Sequence, residues 1–183
     1  LDENLNQLIM QAQAGDQQSF GKLVQQFQSR IFAIAYGIAG RREDAEDITQ
    51  DTFIKAYKAI GYLKAGVAFY SWLVRIAVNT AINYKKGIYK KQCVPLAEID
   101  EAVYQGESPE GYAERRESLA RLHTLLSELS PEHRAVLVLR EIEGLAYDEI
   151  ADMLEIPLGT VKSRINHARD KLRRAVTAKG VRE

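Results

Sequence analysis

Apolar residues recur along most of this chain at spacings of three and four. Leu5, Leu8, Ile9 and Ala12 share one side of a helix, Gly15-Asp16 interrupts, and Phe20, Leu23, Val24, Phe27 and Ile31 resume the pattern. Ala45, Ile48, Thr52, Phe53 and Ala56 form a third stripe with acids on its other side. A fourth runs from Phe69 to about Tyr84, with Phe69, Leu73, Ile76, Ala77 and Thr80 toward the core. The apolar run Ile31 to Ala39 is broken by Gly37. Between Gly87 and Ser108 the period fails. Gly87, Pro95, Gly106 and scattered acids occupy a stretch longer than most connections inside one compact domain.

Helical signals then return. Ser108-Pro109-Glu110 and Ser130-Pro131-Glu132 each set a capping serine before a proline at the first helical position. Leu119, Leu122, Leu125, Leu126 and Leu129 follow the first. Val136, Leu137, Leu139 and Ile142 follow the second, which Gly144 ends. Two shorter helices complete the chain, Tyr147 to Leu154 and Thr160 to about Val176. No segment reads as a strand. The predicted fold class is all-α: a helical domain at 1–90, a flexible linker at 91–110, and a second helical domain at 111–183 with a helix-turn-helix.

The helix-turn-helix is the most specific local pattern. Tyr147 to Leu154 is the first helix, and the turn Glu155-Ile156-Pro157-Leu158-Gly159 prevents its continuation. Thr160 is placed to cap the second helix. Val161, Ile165, Ala168 and Leu172 fall on one narrow face that packs inward. Ser163, Arg164, His167, Lys171 and Arg174 lie on the opposite side. Polar and basic residues early on such a helix suit reading of the major groove, where Arg bonds guanine bidentately. Lys171, Arg173 and Arg174 lie further along and suit phosphate contact, while His167 suits solvent as well as DNA.

Net charge is zero, from 25 basic and 25 acidic residues, which by itself argues against a nucleic-acid binder. Segregation changes that picture. Residues 43–51 carry Glu43, Asp44, Glu46, Asp47 and Asp51 and no base. Residues 52–97 carry eight bases and no acid. Bases dominate again after residue 160, so two cationic surfaces, one per domain, are predicted to meet phosphate. On the fourth helix Arg75, Asn79, Asn83, Lys85 and Lys86 line the polar side. Trp72 stands at its border, where a core role and base stacking both fit. Such a stripe suits melted or single-stranded DNA: bases stack on aromatics, Asn bonds base edges, and cations track the backbone.

Other chemistries find little support. The single Cys93 forms no internal disulfide, and with no metal-spaced His/Cys set a metal site is not expected. His123, His133 and His167 lie far apart in sequence. There is no phosphate-binding glycine loop and no nucleophile elbow, so no enzyme and no cofactor are predicted. No apolar run approaches the roughly 20 residues needed to span a bilayer. The opening residues Leu1-Asp2-Glu3-Asn4 are unlike a signal peptide, and the expected compartment is the cytoplasm.

Two sets of motifs resemble a known family. Asp44-Ala-Glu-Asp-Ile-Thr-Gln-Asp-Thr-Phe-Ile-Lys-Ala-Tyr57, followed by Phe69-Tyr-Ser-Trp-Leu-Val-Arg-Ile-Ala-Val-Asn79, resembles the second conserved region of extracytoplasmic-function sigma factors of the sigma-70 family, in particular the RpoE-like group. Leu129-Ser-Pro-Glu-His-Arg134, Leu139 to Ala151 and Gly159-Thr-Val-Lys-Ser-Arg164 resemble the fourth. The resemblance implies that Asp44, Asp47, Gln50 and Asp51 bind a coiled coil of core RNA polymerase. It implies that the region around Trp72, Arg75, Asn79, Asn83, Lys85 and Lys86 captures and opens the minus-ten promoter element. Thr160, Lys162, Ser163, Arg164, His167, Lys171 and Arg174 on the recognition helix would meet the duplex minus-thirty-five element. It also implies control by an anti-sigma factor. Leu63-Lys64-Ala65-Gly66-Val67-Ala68 departs from the family, which usually carries a more polar loop here, and this implies a different promoter preference. An alternative reading is a dimeric helix-turn-helix regulator that is no polymerase subunit. It leaves the acid-rich helix and the Asn-bearing stripe unused.

Overall fold

The computed structural model describes residues 3–63, 68–91, 126 and 128–179, and every regular element among them is helical. Seven α-helices follow in order: α1 (Glu3–Gln13), α2 (Gln17–Ala39), α3 (Arg42–Ala59), α4 (Phe69–Lys91), α5 (Pro131–Glu141), α6 (Tyr147–Leu154) and α7 (Leu158–Lys179). A short 3₁₀ turn, Ile60–Tyr62, follows α3. The atypical loop at 65–67, the linker, Cys93, His123 and the helix start at Ser108 lie outside the described residues.

Local chemistry accounts for the element ends. Gly15 turns the chain with φ +95°, and the Asp16 carboxylate accepts from the backbone N–H groups of Gln18 and Ser19, both at 3.2 Å, opening α2. Gly40, with φ +80°, closes α2 and donates to the Tyr36 carbonyl at 2.7 Å. Ser130 caps α5 through the His133 N–H, with Pro131 at the first helical position, as the sequence predicts.

Packing begins on α2, whose Leu23, Phe27, Ile31, Ile34 and Ile38 are buried between α1, α3 and α4. α3 contributes Ala45, Ile48, Phe53 and Ala56. α4 contributes Phe69, Leu73 and Ala77, as its stripe predicts, but also Val74, Val78 and Ala81. The stripe is wider than one face requires because α4 is covered twice: by α2 and α3 on one side, and by α5 and α6 on the other.

α5 therefore lies against α2 and α4, and a single apolar core runs from Ala12 to Ile165 through both halves of the chain. Gly37 does not interrupt α2. A Cβ at that position would stand 2.7 Å from Val138 Cγ2, so the glycine is what lets α5 approach so closely. Arg134, buried on α5, donates to the Ile38 carbonyl at 2.7 Å. Ile142, grouped with the α5 stripe by its spacing, is instead 55 % exposed, because the helix ends one residue earlier. Leu129, Leu137 and Ala168 form a second, smaller cluster with Leu126 and Leu172.

Candidate nucleic-acid interface

Arg75, Asn79, Asn83 and Lys86 fall at successive three- and four-residue steps of α4 and so share one side of it. Asn79, Asn83 and Lys86 are exposed, and Arg75 is partly so. Trp72 is half-buried against the core, its ring 5.7 Å from that of Phe69. Lys85 points elsewhere. Its side chain is only 16 % exposed and pairs at 3.3 Å with Asp44, itself buried.

That pair corrects the expectation of a uniformly solvent-facing acidic patch on α3. Asp44 turns inward to Lys85 and to the Tyr84 hydroxyl, which also donates to Asp47 at 3.2 Å. Burial, the charge of Asp44 and the hydrogen bond to Asp47 push the Tyr84 hydroxyl up to about 12, so it stays protonated as a donor. Asp47, Gln50 and Asp51 are exposed. Beside Gln50 a groove of about 770 Å³ opens between α2 and α3, lined by Phe20, Val24, Phe32, Phe53, Ile54 and Tyr57. Sequence reasoning expects apolar grooves on both domains as a place for an inhibitory partner but does not locate this one. Its only trace is that Ile54 and Tyr57 are apolar yet out of register with the α3 core stripe, and both are exposed.

At the other end, α6 and α7 meet through a turn in which Glu155 takes the left-handed conformation with φ +51°. Glu149 accepts from the Ala146 N–H at 2.6 Å and opens α6. α7 begins at Leu158, before the predicted cap, so Thr160 lies within the first turn and its N–H donates to the Pro157 carbonyl at 2.8 Å. Proline ahead of the helix sets the start earlier than the Thr signal does. Val161, Ile165 and Ala168 are buried, as their spacing predicts. Lys162, Ser163 and His167 are exposed and Arg164 half-buried. Arg174 pairs with Asp170 at 2.7 Å, and Lys171 donates to the Glu128 carbonyl. Arg169, absent from the predicted set, pairs with Glu141 at 2.7 Å.

The fold also brings together residues that the sequence separates. The His133 and His167 rings lie 4.6 Å apart, and Ser130 Oγ is 2.6 Å from His133 Nδ1. Burial, followed by the nearby His167, Arg164 and Lys171, holds His133 below its ordinary value. Lys86 pairs with Glu132 at 2.6 Å. Burial works to raise the Glu132 carboxyl, but the Lys86 hydrogen bond and charge outweigh it and hold the group below the usual range. Arg75 donates to both carboxylate oxygens of Glu155. Among the described residues no group of three metal-ligating side chains occurs, and no helix is long and apolar enough to cross a membrane.

These features match known proteins over most of the chain. Residues 23–88 match the Sigma-70 region 2 family, and residues 119–172 match the Sigma-70, region 4 family. The RNA polymerase sigma-H factor of Pseudomonas aeruginosa is 36% identical over 182 residues, covering 95% of this chain and 94% of that protein. The ECF RNA polymerase sigma-E factor of Escherichia coli (strain K12) is 34% identical over 177 residues, covering 90% of each. Among solved structures, CnrH in complex with the cytosolic domain of CnrY is similar with a TM-score of 0.69 and 27% identity, over 96% of this chain and 99% of that one. The sigma factor RpoE in complex with the anti-sigma factor NepR from Bartonella quintana shares the fold, with a TM-score of 0.66 and 22% identity over 90% of this chain and 98% of that one.

Proposed function

The chain belongs to the extracytoplasmic-function sigma factors of the sigma-70 family, which bind core RNA polymerase and direct promoter-specific initiation, and from that premise we propose how its helices divide the work. The N-terminal domain, residues 1–90, binds polymerase and opens the minus-ten element. Residues 91–110 connect it to the minus-thirty-five-reading domain at 111–183. On α4, Arg75 and Lys86 track phosphates, Asn79 and Asn83 bond base edges, and Trp72 supports the base-facing side. Lys85 holds α4 onto α3 through Asp44. Asp47, Gln50 and Asp51, with the apolar groove beside them, dock the polymerase coiled coil. An apolar groove with a polar rim suits an amphipathic helix.

On α7, Lys162, Ser163 and Arg164 enter the major groove, with Thr160 and His167 flanking them, while Lys171 and Arg174 meet phosphates. The chain acts by binding alone. Polymerase supplies the catalysis, and contacts to unpaired bases offset the cost of opening the duplex. Its place of action is the cytoplasm. Its controlling partner is an anti-sigma factor; the similarity to CnrH, solved in complex with the cytosolic domain of CnrY, supports control by a protein partner.

The observation that carries this reading is the asparagine-bearing cationic row of α4 in one chain with a helix-turn-helix. The test is transcription by core polymerase from a promoter library, with and without this chain. Selective start sites are expected only with it. Arg164→Ala is expected to weaken use of the upstream element. Asn79→Ala is expected to weaken open-complex formation more than duplex binding, and unchanged opening would remove Asn79 from the site. Absence of selective initiation would overturn the whole reading.

A further inference from the structure

The paired rings of His133, on α5, and His167, on α7, line a cavity of about 610 Å³. Lys86 of α4, Glu128, Ser130 and Lys171 of α7 line it with them. Arg164 of α7 adds a further positive charge beside His133. The acids that face the cluster are Glu128 and Glu132. Glu132 is held by Lys86 at 2.6 Å, and Glu128 gives its backbone carbonyl to Lys171.

Such a gathering of cations does not favour folding. Burial, then His167, Arg164 and Lys171, oppose a proton on His133, and Glu132 favours one. Two imidazolium rings this close repel unless an anion stands between them. Ser130 Oγ lies 2.6 Å from His133 Nδ1, which fixes the ring and leaves Nε2 as the nitrogen for a ligand. A phosphate oxygen fits these donors, because it accepts charge-assisted bonds from imidazolium N–H groups and from an ammonium. A metal cation does not fit, because Arg164 and Lys171 would repel it.

We propose that His133 and His167 form a clamp for one backbone phosphate of the upstream duplex, and that a proton is taken up as the phosphate enters. The proposal rests on the reading of α7 as the helix that meets that duplex, and it deepens that reading, since His133 stands on α5, outside the recognition helix. The cavity lies beside His167 and Lys171, so the DNA backbone is its nearest source of phosphate. The anion turns repulsion into attraction, and His133 holds in the complex a proton that it releases in the free chain. Affinity for the upstream element therefore rises as pH falls through the neutral range.

Holoenzyme assembled from core polymerase and the full chain tests this on a promoter selected by the transcription experiment. Binding is measured at fixed salt at about pH 6 and about pH 8, for the parent and for His133→Gln. Titration of the polymerase is common to both and cancels in their ratio. The parent is expected to bind about three- to tenfold more tightly than the variant at the lower pH, and within about twofold of it at the higher. A merely structural His133 would not single out a phosphate. Methylphosphonate, which removes the charge of one backbone phosphate at a time, is therefore stepped through the upstream element. At one position it is expected to weaken the parent by about the same three- to tenfold at the lower pH and to leave His133→Gln unaffected. His167→Gln should single out the same phosphate.

Equal pH profiles for parent and variant, or no phosphate coupled to His133, would overturn the clamp while leaving the sigma-factor reading intact. Inorganic phosphate titrated into the free chain, followed by the ring-proton NMR signals of both histidines, separates the two sources of the anion. Saturable shifts at millimolar phosphate, with no coupled backbone phosphate, would make this a site for a free anion and overturn its assignment to DNA. A parent holoenzyme that binds no promoter selectively would strike the functional reading itself, and the clamp with it.

Discussion

Arg134, near the start of α5, donates a hydrogen bond at 2.7 Å to the carbonyl of Ile38, in the last turn of α2. Carbonyls in a last turn have no partner within their own helix and carry its partial negative charge. The guanidinium satisfies this one across the boundary between the halves, and it also donates to the Leu126 carbonyl at 2.5 Å. Arg134→Leu strands both acceptors, and a loss of about 2–4 kcal/mol is expected. Urea unfolding measures it. A variant within about 0.5 kcal/mol of the parent would show that the bond is not stabilising.

Gly37 offers a case where helix propensity and packing disagree. Alanine in mid-helix gains roughly 1 kcal/mol over glycine. Here the new methyl meets Val138 Cγ2 at 2.7 Å and Cγ1 at 3.3 Å. Valine is branched at Cβ and cannot swing its methyls aside cheaply. Gly37→Ala is therefore expected to destabilise by about 1–2 kcal/mol net. Adding Val138→Ala is expected to recover part of that loss. The double-mutant cycle checks the coupling, and independent effects would show that the two residues do not meet in solution.

Asp44 and Asp51 both lie on the acid-rich helix but are expected to behave differently. Asp44→Ala leaves Lys85, 16 % exposed, without its carboxylate, and a stability loss of about 3 kcal/mol follows. Pairing it with Lys85→Met should relieve much of this. Asp51→Ala, at an exposed position, should leave the unfolding midpoint unchanged and weaken assembly with core polymerase. Equal loss of stability in both single variants would contradict the burial described for Asp44 alone.

Stability should fall on mild acidification, with His133 as one source. Burial and the nearby His167, Arg164 and Lys171 lower its folded-state value below that of the unfolded chain. Between the two values the unfolded chain binds more protons, so stability rises with pH there. The contribution is complete above about pH 6.5 and is lost as pH drops through the folded value. Urea midpoints taken from about pH 7.5 down to about pH 5 read the slope. His133→Gln should flatten it, and an unchanged slope in that variant would assign the dependence to other groups.

Spacing alone marked much of the fold. The apolar period located α2, α3 and α4, Ser130-Pro131 opened α5, and Val161, Ile165 and Ala168 identified the inner face of α7, because these signals act within a few residues of chain. The Asn-bearing row of α4 was visible for the same reason: it is one side of one helix. Only the tertiary structure decided what meets that row. A cation in a sequence does not disclose its counter-charge. Glu155 reaches Arg75 across eighty residues, Glu132 reaches Lys86, and Asp44 turns inward to Lys85. Hydrophobic periodicity says that a side chain will be covered without saying by which helix. Hence α4 carried the evidence of its own burial, while the identity of α5 and α6 as its second cover came from packing across the whole chain.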